Sequence, residues 1–282
     1  MGRFSNSFQL VKESLNVLKK DKELLWFPIL SGIFTILIFA SFLLPIFLKS
    51  TRDFAGGVFS SALILWVFLY YLLSYFIVIF FNTALITCAN IRLNGGDPKV
   101  KDGLKNAFGH FFPILIWALI SATIGLILRQ IEERVGIIGQ ILVALVGIAW
   151  SIITYFVIPV MVFENVNPFK SIKKSAILFK KTWGENLIIN VTAGLFFAAL
   201  FFAVLIPAVL IALLSGSLYV IIITAAILIL YFVILAIISS ALSGIFTTAL
   251  YNYASTGKVP KAFSPELIQG AFKSKKATHK LV

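Results

Sequence analysis

The chain has 282 residues, 60% apolar and 12% charged, with a formal net charge of +13; a soluble domain usually carries roughly 45–50% apolar and about 25% charged residues. A mean hydropathy of +1.02 excludes an ordinary soluble globular protein and points to an all-α, polytopic integral membrane protein. One cysteine, Cys88, and two histidines, His110 and His279, exclude an intrachain disulfide framework, a Cys-rich zinc site and a haem-attachment motif.

Phe4, Phe8, Val11, Leu15 and Leu18 recur near the helical period and predict an amphipathic helix at the start of the chain. A helix rises about 1.5 Å per residue and the hydrocarbon core is about 30 Å thick, so each crossing needs roughly 20 apolar residues. Six segments qualify: 24–48, 58–91, 111–128, 137–163, 187–214 and 218–250. The first follows Lys19, Lys20 and Lys22, but it is too long for a signal peptide and no A-x-A-like site follows it, so it is read as a retained span. The second and sixth exceed one perpendicular crossing. Their ends are polar or small, with Asn82, Thr83, Thr87, Cys88 and Asn90 in one and Ser239, Ser240, Ser243, Thr247 and Thr248 in the other, which predicts emergence into water.

Charge sets the expected orientation. The N-terminal segment carries five Lys/Arg, the loop around Asp97 four, the loop around Asn167 five and the tail six, against Lys49, Arg52, Arg129 and Arg134 on the other side. The positive-inside rule then places both termini in the cytoplasm of a cell-membrane protein. The net positive charge suits anionic membrane lipid and not nucleic acid.

The basic loops share a pattern. In Asp97-Pro98, Asn167-Pro168 and Ser264-Pro265 a capping residue precedes proline, which loses nothing at the first helical position for want of an N–H. Each pair is expected to open an amphipathic interfacial helix. After Asp97 the apolar stripe is Val100, Leu104, Ala107, Phe108 and Phe111; after Asn167 it is Ile172, Ala176, Phe179 and Trp183, with Lys170, Lys173, Lys174, Lys180 and Lys181 largely away from it. Thr83-Ala84-Leu85 with Ala89-Asn90 also returns as Thr248-Ala249-Leu250 with Ala254-Ser255. The expected organisation is one membrane domain of three repeats, 4–93, 94–164 and 165–250, each an interfacial helix with a span hairpin, followed by a basic tail over 251–282.

The stretch Val162-Phe163-Glu164-Asn165-Val166-Asn167-Pro168, continued by Lys173-Lys174-Ser175-Ala176-Ile177-Leu178-Phe179-Lys180-Lys181-Thr182-Trp183, resembles the signature of the glycerophosphodiester phosphodiesterase membrane-domain superfamily. The resemblance implies a six-span fold and no reaction. The soluble catalytic barrel that some relatives carry has no counterpart here.

Hydrolytic chemistry needs carboxylates, histidines or an activated nucleophile placed together, and the sequence offers no such cluster; it is read as non-enzymatic, with no catalytic residue, metal or cofactor assigned. His110 reads as an interfacial ring, Cys88 as small-residue packing and Glu164 as a partner for a nearby lysine. Among the polar residues within spans, Asn82, Thr154 and Asn190 could line a polar path, with interhelical hydrogen bonding the simpler role. Ala236, Ser240 and Gly244 give a small-residue face for close packing within the bundle or between subunits, and Pro45, Pro159 and Pro207 can bend their helices. The sharpest signal is a lipid-headgroup candidate, Lys170, Lys173 and Lys174 beside the Asn167 helix start. The leading expectation is a protein that binds, moves or organises lipids or other amphiphiles. The alternatives are an oligomeric channel or permease, in which copies of this chain are the partner, and a scaffold whose basic face anchors a cytoplasmic protein.

Overall fold

A computed structural model describes residues 3–48, 61–181, 186–260 and 262–264. Every regular element among them is helical: α1 (Arg3–Lys20), a 3-10 turn (Lys22–Leu25), α2 (Trp26–Leu48), α3 (Ser61–Leu93), α4 (Val100–Gly109), α5 (Phe111–Glu132), α6 (Ile137–Ile153), α7 (Val157–Phe163), α8 (Pro168–Lys181), α9 (Asn186–Ser215) and α10 (Leu218–Thr256). Among the described residues, six segments are long and apolar enough to cross a membrane: Lys22–Leu44, Leu65–Leu93, Phe111–Glu132, Ile137–Phe163, Phe196–Ser215 and Leu218–Thr256.

The fourth candidate span is interrupted near Pro159, one of the prolines expected to bend its helix. α6 stops at Ile153, Thr154–Phe156 form a turn, and α7 resumes at Val157. Pro159 supplies the reason: it has no N–H to bond the carbonyl of Tyr155 four residues earlier, and its ring clashes with that carbonyl. Pro207, by contrast, is absorbed within α9 without ending it.

The chain divides into two compact units. One comprises Trp26–Ala89 and Pro98–Phe179. Its buried side chains gather at the end of α3, where Ile79–Phe81 and Thr83–Ala89 are buried, and around Phe156–Met161, while α6 buries none of its residues. A predominantly apolar helix that buries none of its residues suits a lipid environment.

The other unit comprises Met1–Leu25, Asn90–Asp97 and Lys180–Val282. Within it α1 packs against α9 and α10, and α10 also meets the 3-10 turn. α10 has 39 residues; at about 1.5 Å per residue it rises on the order of 58 Å, well beyond a bilayer core of about 30 Å. Its buried residues, Ala241–Leu242 and Gly244–Tyr251, lie toward its C-terminal end. The helix stops at Gly257, whose φ of +71° is the left-handed cap conformation that glycine adopts without cost.

Candidate functional site

α8 begins where the sequence predicts. Pro168 is its first residue, the Asn167 side-chain oxygen accepts the Lys170 N–H at 2.9 Å, and the Asn167 carbonyl accepts the Ser171 N–H at 3.0 Å. Asn165 takes a left-handed conformation, φ +49°, which asparagine tolerates better than most side chains. The Lys174 ammonium donates to the Glu164 carboxylate across this turn. Glu164, Asn165 and Asn167 thus close the loop and start the helix, which accounts for their spacing structurally.

The buried face of α8 coincides with the expected stripe at Phe179 and otherwise differs from it. Ser171, Ser175, Leu178 and Phe179 are buried, Ile172 and Ala176 are half-buried, and Trp183 lies outside the described residues. The two serines are recruited by hydrogen bonding. Ser171 Oγ donates to the Asn167 carbonyl at 2.9 Å, whereas Ser175 Oγ donates to the Ile153 carbonyl at 2.6 Å and accepts the Phe156 N–H at 3.0 Å. Ser175 therefore satisfies backbone groups on both sides of the broken span, as non-helical backbone at membrane depth requires.

With that face fixed inward, α8 turns Phe169 (67% exposed), Lys170, Lys173 and Ile177 (49% exposed) outward. Of the candidate headgroup residues, Asn167 is spent on the helix cap and Lys174 on Glu164, while Lys170 and Lys173 are exposed and enter no ion pair among the described residues. Cationic and apolar side chains interleave on one helix face.

α4 follows the same plan with a corrected start. Asp97 does not cap it: Arg92 Nη2 donates to Asp97 at 2.6 Å, and the helix begins at Val100 with the Asp102 carboxylate accepting the Lys99 N–H at 3.0 Å. Gly103 and Ala107 are buried one turn apart. A Cβ at Gly103 would lie 2.6 Å from the Ala84 carbonyl oxygen, 2.8 Å from Cys88 Sγ and 2.8 Å from Phe27, so only glycine permits this approach to α3. Cys88 is buried there, its Sγ 3.4 Å from the Lys99 carbonyl. Phe108 and Phe111, expected on the inward stripe, are exposed, and Val100 and Leu104 are half-buried. Packing through small residues displaces the large ones outward.

In the other unit Arg92 bridges two carboxylates. Its Nε donates at 3.0 Å to Asp21, which is 4% exposed, and its Nη2 reaches Asp97. Asn252 Nδ2 donates to Asn90 Oδ1 at 2.8 Å. On α1, Ser14, Val17 and Leu18 are buried and Val11 and Leu15 half-buried, while the side chains of Phe4 and Phe8 lie outside the described residues. The Ser264 N–H and hydroxyl both donate to the Glu13 carboxylate. The helix expected from Pro265 onward, with His279, lies outside the described residues.

The polar span residues lie on separate elements. Thr154 sits in the break of the fourth span and donates to the Trp150 carbonyl at 2.8 Å; Asn82 is half-buried on α3; Asn190 belongs to α9, with its side chain outside the described residues. His110 is the hinge residue between α4 and α5, its Nδ1 2.9 Å from the Asn106 carbonyl, which can only accept. Sequence reasoning missed the buried serines and Gly103. Their signal is the i, i+4 spacing of small residues, Gly103 with Ala107 and Ser171 with Ser175.

No curated protein and no solved structure matches the chain. Residues 61–261 match the model of a family of unknown function, DUF6159, and the chain belongs to that family.

Proposed function

We propose that this is a non-enzymatic membrane protein that binds lipids or other amphiphiles through its basic amphipathic helices, and so moves or organises them. The observation that carries the reading is the outward face of α8, where exposed Phe169 and Ile177 lie among exposed Lys170 and Lys173. A face of this composition is suited to the headgroup boundary, with apolar groups toward acyl chains and ammonium groups toward phosphate. The twenty-to-four partition of Lys/Arg supports a cytoplasmic-leaflet position for this face in the proposed reading. The resemblance of residues 162–183 to the glycerophosphodiester phosphodiesterase membrane domain belongs to the same reading, as a membrane module without the barrel.

The test is lipid retention by native mass spectrometry, comparing the wild type with Lys170→Gln/Lys173→Gln. At roughly 1 kcal/mol per surface lysine, the pair should weaken anionic-lipid binding about 30-fold, with the wild-type advantage shrinking as salt rises. Lys174→Gln is the control: it removes the partner of Glu164 and should alter stability more than lipid retention. Equal retention by wild type and double variant would leave the channel and scaffold readings.

A further inference from the structure

The corner where α4 meets α5 carries a second outward face, remote in sequence from α8 and absent from the candidate residues above. Its inward side is fixed: Gly103 and Ala107 are buried, and no side chain larger than hydrogen fits at Gly103 against the Ala84 carbonyl and Cys88 Sγ. α4 therefore cannot roll without a clash. Lys101, Lys105 and Phe108 stand at positions i, i+4 and i+7, one face by helical period, and all three are exposed. Neither lysine enters an ion pair among the described residues.

Depth follows from the chain. Phe111 opens the third candidate span, and three residues separate Cα atoms by at most about 11 Å, so Phe108 stays close to the entry of the chain into the apolar layer. There it is 64% exposed, and Phe112 is 73% exposed. The two rings are the ends of one aromatic ribbon: Phe108 meets Phe80 at 4.9 Å, Phe80 meets Phe76 at 6.0 Å, Phe76 meets Phe111 at 5.2 Å and Phe111 meets Phe112 at 5.6 Å between centroids. Water is a poor neighbour for such a ribbon, and an acyl chain a good one. Two exposed ammonium groups on the same helix face, without an ion pair among the described residues, suit an anion.

We infer that Lys101, Lys105 and the Phe108–Phe112 ribbon form a binding corner for one anionic phospholipid, with its phosphate on the two lysines and the upper part of an acyl chain on the rings. The inference extends the reading of the basic helices as headgroup contacts and rests on it, but assigns a separate site.

The experiment places a nitroxide at Phe108→Cys in vesicles of phosphatidylcholine and phosphatidylglycerol, and compares collisions with oxygen, which concentrates in lipid, against a water-soluble nickel chelate. Wild type, whose single cysteine is buried, is the labelling blank. Labels at Ile138→Cys, within a candidate span, and Lys258→Cys, outside every candidate span, calibrate apolar and aqueous exposure, both positions being exposed. The inference requires oxygen to dominate at 108, as at 138. Nickel dominance, as at 258, overturns it, and so does low access to both agents, which would mean that another protein surface covers the corner. Lys101→Gln/Lys105→Gln should in addition lose about 30-fold in retained phosphatidylglycerol at low salt; unchanged retention overturns the phosphate contact. A lipid-exposed label at 108 combined with no effect of Lys170→Gln/Lys173→Gln would sink the α8 reading while sparing this corner, and the reverse pattern would do the opposite.

Discussion

Ser175→Ala tests how the broken span is held. The substitution removes one buried oxygen and with it two hydrogen bonds, from Ser175 Oγ to the Ile153 carbonyl at 2.6 Å and from the Phe156 N–H to Ser175 Oγ at 3.0 Å. At about 1 kcal/mol net per bond, the expected loss is about 2 kcal/mol. That corresponds to a fall of roughly 4–8 °C in Tm for a cooperative unit of some 150 residues. Cys88 is a built-in reporter: it is the single cysteine, buried in the same unit, so a thiol-reactive dye reads the loss of core structure on heating in detergent. Ser171→Ala, which loses one bond within its own helix, is the matched control and should cost about half as much. Pro159→Ala should weaken the effect of Ser175→Ala, because without the proline α6 and α7 can join and satisfy their own carbonyls. If Ser175→Ala melts no earlier than Ser171→Ala, or if the two substitutions simply add, the serine does not hold the break and the argument fails.

Gly103→Ala should lower the same dye-monitored Tm by an amount reflecting about 1–3 kcal/mol of overpacking, whereas Gly109→Ala, with nothing within 4 Å of its Cβ position, should not. Arg92→Gln leaves the carboxylate of Asp21 buried without its guanidinium and should cost about 3–5 kcal/mol, most of it recovered in Arg92→Gln/Asp21→Asn; no recovery in the double variant would refute the ion-pair account. Asn167→Ala should cost on the order of 1 kcal/mol of helix-end stability, and Asp97→Ala should not shorten α4 in hydrogen exchange, because Asp102 holds that start. Cysteines introduced at Asn167 or Lys173 should resist labelling from outside intact cells; labelling there would reverse the assigned orientation.

Span existence was legible because twenty apolar residues are a coarse and redundant signal, and α8 was legible to the residue because Asn167-Pro168 combines a cap with a fixed φ. The same logic misplaced the start of α4. Asp97 can cap a helix or pair with a cation, and Arg92, five residues earlier, takes it for an ion pair. Helical faces were harder still. Periodicity ranks residues by apolarity and so put Phe108 inward, yet close approach to α3 needs the absence of a side chain, and Gly103 wins the contact. On α8 Ser175 is buried ahead of Ile172 and Ala176, which stay half-buried, because the broken span leaves the Ile153 carbonyl and the Phe156 N–H in need of a polar partner, and Ser171 is buried with its hydroxyl on the Asn167 carbonyl of its own helix. Pro159 announced a bend, but which distant residue would close it is tertiary information.

The most direct measurement is a density map of the protein in nanodiscs containing phosphatidylglycerol and phosphatidylcholine. The account predicts ordered phosphate density against the ammonium groups of Lys170 and Lys173, with acyl density beside Phe169 and Ile177, and loss of the phosphate feature in Lys170→Gln/Lys173→Gln. Lipid density confined to the spans, with water or protein against the outward face of α8, would contradict it.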